Sequence, residues 1–354
     1  MNPKKKLVIA VGGTGGHVIP AMHLGDQFAN DDQIAVSYMG VGLAKNRFFE
    51  KEGRVFFEIE GGNFSKGVFY GLKNICKGVY AAIRWLKKEN IDRVVGFGSY
   101  HSLPVVLAAK VLKIPYDIVE LNRFPGKINR FFSRWAQSTF IHFKPYQQKW
   151  IFRPTYIEYS FKKQEKKTKE EALAAFGFRN QRNTLLIFGG SQGAQMICDA
   201  WLKTAPCLEF LFQVIHITQD KEKALACYKK HNIEAFVTNF IKEMDLAYLA
   251  SDLAICRAGA GAIREMLIFE CPAILVPYTK ASEDHQRHNA RFMQNEIGGA
   301  IFLEENKLSS QLELTVREIF AEDGKKHQAM QKCLQNEKTS KKREALVDCI
   351  RRRL

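Results

Sequence analysis

The chain has 354 residues, 46% of them apolar, and its 53 lysines and arginines against 37 aspartates and glutamates give a net charge of +16. That length favours two domains with separate cores, and the apolar content excludes a disordered chain. The basic excess calls for an anionic partner, with a membrane surface and nucleic acid as the first candidates.

The first apolar run, "LVIAV" at 7–11, is short, continuous and β-branched, the pattern of a parallel strand buried on both faces. It runs into "GGTGGHVIP", where glycines let the chain turn sharply and bring backbone N–H groups to an anion or a sugar, and Pro20 fits the first turn of a following helix. A dinucleotide fingerprint needs a third glycine where Val18 stands, and "VSYMGVG" at the next strand end lacks an acidic residue for a ribose. The P-loop signature is absent from the whole chain, so NAD and ATP are not the expected ligands. Three lysines precede the first run, but its five apolar residues are too few for a signal peptide. No run approaches the roughly 18 residues that span a bilayer. The expected location is the cytoplasm.

Two stretches contain no Asp or Glu. From Asn63 to Lys88, Lys66, Lys73, Lys77, Arg84, Lys87 and Lys88 accompany apolar residues at helical spacing: Val68, Phe69, Leu72, Ile75, Val79, Ile83 and Leu86. From Arg123 to Pro154, seven basic residues are interleaved with Phe131, Phe132, Trp135, Trp150 and Phe152. Basic amphipathic segments with aromatics suit an anionic membrane surface; the plain alternative is an apolar face in the core with solvated lysines. No nucleic-acid-binding motif is present, so nucleic acid is not an expected partner.

Strand signals in the first half fall at 7–11, 34–39, 55–59, 94–97 and 116–119, and in the second half at 184–188, 212–217, 235–238, 253–256 and 273–276. "LLIFGGSQGA" at 185–194 repeats the opening device, which predicts an α/β architecture of two Rossmann-like domains with parallel sheets. The expected boundaries are 1–153 and 154–335, with a connection near Pro154 to Thr168 and a closing helix at about 336–354 packing back on the first domain. Eight cysteines show no C-x-x-C pair, so free thiols and no zinc site are expected.

Ligands bind at the carboxyl ends of such strands. The loops there read "GGTGGH" (12–17), "GFGSYHS" (96–102), "GGSQGA" (189–194) and "CRAGAGAIRE" (256–265). Together with "EDHQRHNA" (283–290), in this order and at this spacing, they make the chain resemble the MurG family of GT-B glycosyltransferases. These enzymes add N-acetylglucosamine to undecaprenyl-pyrophosphoryl-muramoyl-peptide, converting lipid I to lipid II, with their two domains facing across a cleft.

The resemblance implies that UDP-N-acetylglucosamine is held mainly by the second domain. Its residues there would be Ser191, Gln192, Ile241, Arg257, Ala260, Gly261, Glu265 on the ribose, His285, Gln286 on the sugar hydroxyls and Asn289, with Thr14, Gly15, Gly16 and Asn122 from the first domain. It places the acceptor pyrophosphate at Gly13, Thr14, Gly16, Ser99 and Tyr100. His17 is either the general base for the muramoyl 4-hydroxyl or a hydrogen-bonding group for the pyrophosphate, since imidazole titrates near neutral pH. Glu120 is the next candidate for the base, and His101 is a weaker one. Helix dipoles and side chains would neutralise the leaving UDP, so no metal or other cofactor is expected.

The membrane-facing set would be Phe69, Leu72, Lys73, Ile75, Lys77, Val79, Arg84 and Trp135. They would hold the enzyme peripherally on anionic phospholipid at the cytoplasmic face of the inner membrane, near lipid I and possible wall and division proteins. The sequence departs from the family at "VELN" (119–122), where the family reads H-E-Q-N, at "FRPTYIEY" in place of Asn-Pro-Val-Arg, and at Ala258 and Ala262, where it has hydroxyls. The alternative reading is a non-catalytic relative serving as a membrane scaffold.

Overall fold

The computed structural model describes residues 3–62, 67–145, 150–158, 167–179, 182–189, 195–208, 212–279, 284–340 and 343–354. The chain divides into two units, Met1–Lys163 with Arg343–Leu354, and Gln164–Lys342.

In the first unit the elements run β1 (Lys5–Ala10), α1 (Gly15–Asp26), β2 (Ile34–Gly40), β3 (Phe56–Glu58), α2 (Val68–Lys88), β4 (Arg93–Gly96), α3 (Ser99–Val111), β5 (Tyr116–Glu120), α4 (Lys127–Phe132), β6 (Thr139–Ile141) and β7 (Pro154–Tyr156). The strands form one parallel sheet in the order β3-β2-β1-β4-β5-β6-β7. Leu7, Val8, Ile9 and Ala10 are fully buried, which is why the run shows no alternation: both faces of β1 are covered. On one face Val8, Ala10, Val94 and Ile118 pack with Ala82, Leu86, Val105 and Ala109. A Cβ on Gly78 would lie 1.9 Å from the Glu60 carbonyl oxygen, so only glycine lets α2 approach that backbone.

In the second unit follow α5 (Lys169–Ala175), β8 (Asn183–Phe188), α6 (Gln195–Thr204), β9 (Phe212–Ile217), α7 (Lys221–Lys230), β10 (Ala235–Thr238), α8 (Met244–Ala250), β11 (Leu253–Cys256), α9 (Ala260–Phe269), β12 (Ala273–Leu275), α10 (His285–Phe292), β13 (Ala300–Phe302) and α11 (Leu308–Thr339). Thr168 starts α5 with a capping box, exchanging hydrogen bonds with Glu171. The parallel sheet has the order β10-β9-β8-β11-β12-β13. In both sheets the strand order reverses beside the unit's first long strand, between β1 and β4 and between β8 and β11. These are the switch points where open α/β sheets bind ligands, and the glycine motifs follow those strands.

The chain ends in α12 (Leu346–Arg351), which belongs to the first unit. Beyond it, Arg353 donates to Asp117 Oδ1 (2.9 Å), while Arg93 donates to Asp117 Oδ2 (2.7 Å) and to the Arg353 carbonyl (2.8 Å). Asp117 is fully buried, so the two guanidiniums supply the compensation that a buried carboxylate needs.

Several expectations are corrected. Pro154–Tyr156 is not the start of the second domain: it pairs with β6 as the edge strand of the first sheet. The closing helix is not continuous over 336–354, because α11 runs to Thr339 within the second unit and α12 begins only at Leu346. Pro20 is not in a first turn, since α1 already starts at Gly15, and inside the helix it denies Gly16 an intrahelical donor.

Candidate active site

At the first switch point Gly13 takes φ +87°, a conformation open to glycine, and turns the chain into α1. Asn46 Nδ2 donates to the Gly13 carbonyl (2.7 Å) and fixes the turn from outside. Thr14 is the N-cap, its Oγ1 3.4 Å from His17 Nδ1, and the first amides of α1 lie at the start of a helix, where they have no intrahelical acceptor. Thr14 is exposed and Gly16 and His17 are half-buried, whereas Gly15 is buried against Phe48. After β4, Ser99 and the exposed Tyr100 open α3. The hydroxyl of Ser99 lies 3.3 Å from where a Cβ on Gly13 would stand, so the structure brings these two loops together.

Glu120, at the end of β5, is buried and heavily engaged. Its Oε1 accepts from the Asn122 amide (2.8 Å) and from Asn122 Nδ2 (3.3 Å). Its Oε2 accepts from the Gly126 amide (2.9 Å) and from Asn129 Nδ2 (2.8 Å). Burial raises the carboxyl's pKa, and these four donors oppose the rise. They occupy the carboxylate's acceptor sites, so the group holds the 121–126 loop and α4. Asn129 is buried, and its place in "KINRFF" gives no signal of that in sequence.

At the second switch point the loop after β11 leads through Gly259, the N-cap, into α9. A Cβ at Gly259 or at Gly261 would meet nothing within 4 Å, so the helix N-terminus is open. The first amides of a helix have no intrahelical acceptor, the arrangement that attracts anions. Ala260, Gly261 and Glu265 are half-buried. Glu265 acts on Tyr248, whose hydroxyl pKa is raised first by burial and then by this neighbouring charge.

Arg257 is ion-paired with Glu305, donates to the carbonyls of Val276 (3.3 Å) and Pro277 (3.2 Å), and lies over the Tyr278 ring. Gln286 Oε1 accepts from the Tyr278 amide (3.0 Å). His285 beside it is half-buried. Asn289 is buried and donates to the Ala258 carbonyl (3.0 Å), latching α10 to the loop before α9. Ile241 is half-buried in the segment after β10, next to Phe240 with 67% of its surface exposed. Ser191 and Gln192 lie outside the described residues. Among the described residues no three or more of His, Cys, Asp and Glu come together to hold a metal ion.

α2 turns Gly71, Gly78, Ala82 and Leu86 inward and leaves Phe69, Leu72, Lys73, Lys77, Tyr80 and Arg84 exposed. Ile75 and Val79, expected among the membrane-facing residues, are half-buried because they flank the inward stripe. Lys77 reaches Glu60 (3.4 Å). Trp135 is exposed beside Phe131, with the Lys110 ammonium 3.1 Å from its ring centre. No described helix is long and apolar enough to cross a membrane.

Residues 7–141 match the model of the glycosyltransferase family 28 N-terminal domain, and residues 184–346 that of the glycosyltransferase family 28 C-terminal domain. A protein of Protochlamydia amoebophila named UDP-N-acetylglucosamine--N-acetylmuramyl-(pentapeptide) pyrophosphoryl-undecaprenol N-acetylglucosamine transferase is 36% identical over 330 residues, 88% of this chain and 86% of its own. One of the same name from Chlamydia felis is 31% identical, covering 99% of this chain and 100% of its own. The crystal structure of Acinetobacter baumannii MurG superposes with a TM-score of 0.75 at 26% identity, over 98% of this chain and 99% of that one. The chain belongs to the MurG family of glycosyltransferases. Its two parallel α/β units are the GT-B fold of that family.

The departures from the family's motifs now have a place in the molecule. Val119 and Leu121, in the H-E-Q-N position, are buried, as is Ala258. Those three changes therefore alter the core beneath the loops. In the segment "FRPTYIEY", the Arg153 guanidinium donates to the Ala136 carbonyl (2.9 Å) within the first unit.

Proposed function

We propose that the protein transfers N-acetylglucosamine from UDP-N-acetylglucosamine to the 4-hydroxyl of an undecaprenyl-pyrophosphoryl-muramoyl-peptide, with inversion at the anomeric carbon. The second unit takes the donor: the diphosphate lies at the N-terminus of α9, the ribose hydroxyls on Glu265 and the sugar on Gln286. The first unit takes the acceptor's pyrophosphate at the amides of 13–16 and the start of α3. His17 accepts the hydroxyl proton as the new C–O bond forms, and the bond to UDP breaks with its electron pair leaving on the diphosphate. The helix N-terminus stabilises that charge. Glu120 is a positioning residue in this reading. α2 and the Trp135 cluster seat the first unit on anionic lipid at the cytoplasmic face of the plasma membrane.

The observation that carries the reading is the open N-terminus of α9 with a carboxylate at Glu265, in a chain of this family. The test incubates purified protein with radiolabelled UDP-N-acetylglucosamine and a lipid I analogue in EDTA. Label in the lipid product is expected; UDP binding with no transfer would overturn the reading in favour of a scaffold.

A further inference from the structure

Ser99 opens α3 at φ +71°, in the left-handed region that glycine adopts freely and serine rarely does. Its hydroxyl lies 2.7 Å from His101 Nδ1 and accepts the His101 amide at 3.2 Å. The His101 ring lies along the glycine turn. A Cβ on Gly12 would fall 2.6 Å from the His101 Cβ, and one on Gly13 would fall 3.0 Å from Nδ1. The Val41 amide donates to the His101 carbonyl (3.2 Å), pinning its backbone to the end of β2.

The Ser99 hydroxyl can give its hydrogen to Nδ1 while its oxygen accepts the His101 amide, and a neutral imidazole bonded in that way carries its hydrogen on Nε2. Burial favours that neutral form by lowering the ring's pKa. Nε2 makes no hydrogen bond among the described residues.

We propose that Ser99 and His101 form a positioning pair for the acceptor's diphosphate, in which Ser99 fixes the tautomer and His101 presents a neutral Nε2–H donor beside the glycine turn. The pair rests on the reading of the first unit as the acceptor site. A neutral donor orients phosphate oxygens without adding a further cation.

The test measures KM for a lipid I analogue and for UDP-N-acetylglucosamine in the full-length protein and four variants, each checked by thermal unfolding. His101→Gln keeps a donor at about the reach of Nε2, His101→Asn keeps a polar group only at the reach of Nδ1, His101→Leu keeps neither, and Ser99→Gly relieves the backbone while removing the hydroxyl. Acceptor KM is expected to rise about tenfold in His101→Leu and His101→Asn, the scale of one hydrogen bond to a charged group. His101→Gln should restore it, Ser99→Gly should raise it despite the relaxed backbone, and donor KM should stay constant. Equal rescue by Asn, an equal rise in donor KM, or an unchanged acceptor KM in Ser99→Gly would overturn the pair.

If the wild-type protein transfers nothing, the acceptor reading has failed on its own, and inorganic pyrophosphate binding measured by calorimetry tests the pair. Weakening in the Leu and Asn variants with recovery in Gln supports it, and equal affinity throughout rejects it.

Discussion

Arg257 and Glu305 form an ion pair in which only 11% and 12% of the side chains are exposed. Through it the loop after β11, the carbonyls just after β12 and the segment after β13 are held as one unit beside α9. Glu305→Ala should therefore leave a partly buried guanidinium uncompensated, lowering stability and raising the KM for UDP-N-acetylglucosamine. In a double-mutant cycle with Arg257→Met, a coupling of about 1–3 kcal/mol is expected. Additive single effects would mean that the two residues act separately.

His17 and Glu120 should separate cleanly. His17→Ala is expected to lower turnover at least about a hundredfold, within the usual range for a general base. Glu120→Gln puts an amide hydrogen among four donors, so it should cost about 1–3 kcal/mol of folding stability and leave turnover within about tenfold. Denaturant unfolding and single-turnover rates, measured on both variants, give the comparison.

His216 on β9 is buried, with Tyr228 Oη 2.8 Å from Nδ1 and Trp201 Nε1 donating to the same hydroxyl at 2.9 Å. Burial pushes its pKa down to about 4 from 6.5. The unfolded chain therefore binds the extra proton between those values, and the contribution present above pH 6.5 is lost as pH falls towards 4. The ceiling is about 3 kcal/mol. Melting temperature against pH should fall more steeply over this window in the wild type than in His216→Asn, which keeps an acceptor for Tyr228. Parallel curves would contradict the assignment.

The outer face of α2 combines two kinds of membrane contact that salt can separate. Replacing Lys73 and Arg84 by Glu should weaken binding to anionic vesicles at least about tenfold at low ionic strength, and the difference should shrink as salt rises. Replacing Phe69 and Leu72 by Ser should weaken binding at every salt concentration, because apolar insertion is not screened. Sedimentation with vesicles of mixed neutral and anionic lipid measures both.

The strands legible in sequence are short, mainly apolar segments between turn signals. The spans read for β9, β10 and β11 coincide with the structure. The sequence reading passes over β6, β7 and β13, of three residues each like β3 and β12, which it finds, and the omission of β7 displaces the expected domain boundary. The glycine turns were readable because a motif announces them. The side chains that hold them are not: Asn46 and Glu305 act across long sequence separations, and Asn129 lies in a segment with no motif to mark it. Ile75 and Val79 share the helical period of Phe69 and Leu72, and only the position of the sheet tells which edge of that stripe is covered.

The contact of Arg353 with Asp117 spans 236 residues. Synthesis at about 5–20 residues per second separates the two by roughly 12–47 s. During that interval the whole second unit is made, while the first sheet holds its buried carboxylate with Arg93 alone. The nascent protein thus carries an N-terminal half whose last ion pair arrives late, and a ribosome stalled in the second unit would display a first unit lacking α12, exposed to chaperones and proteases.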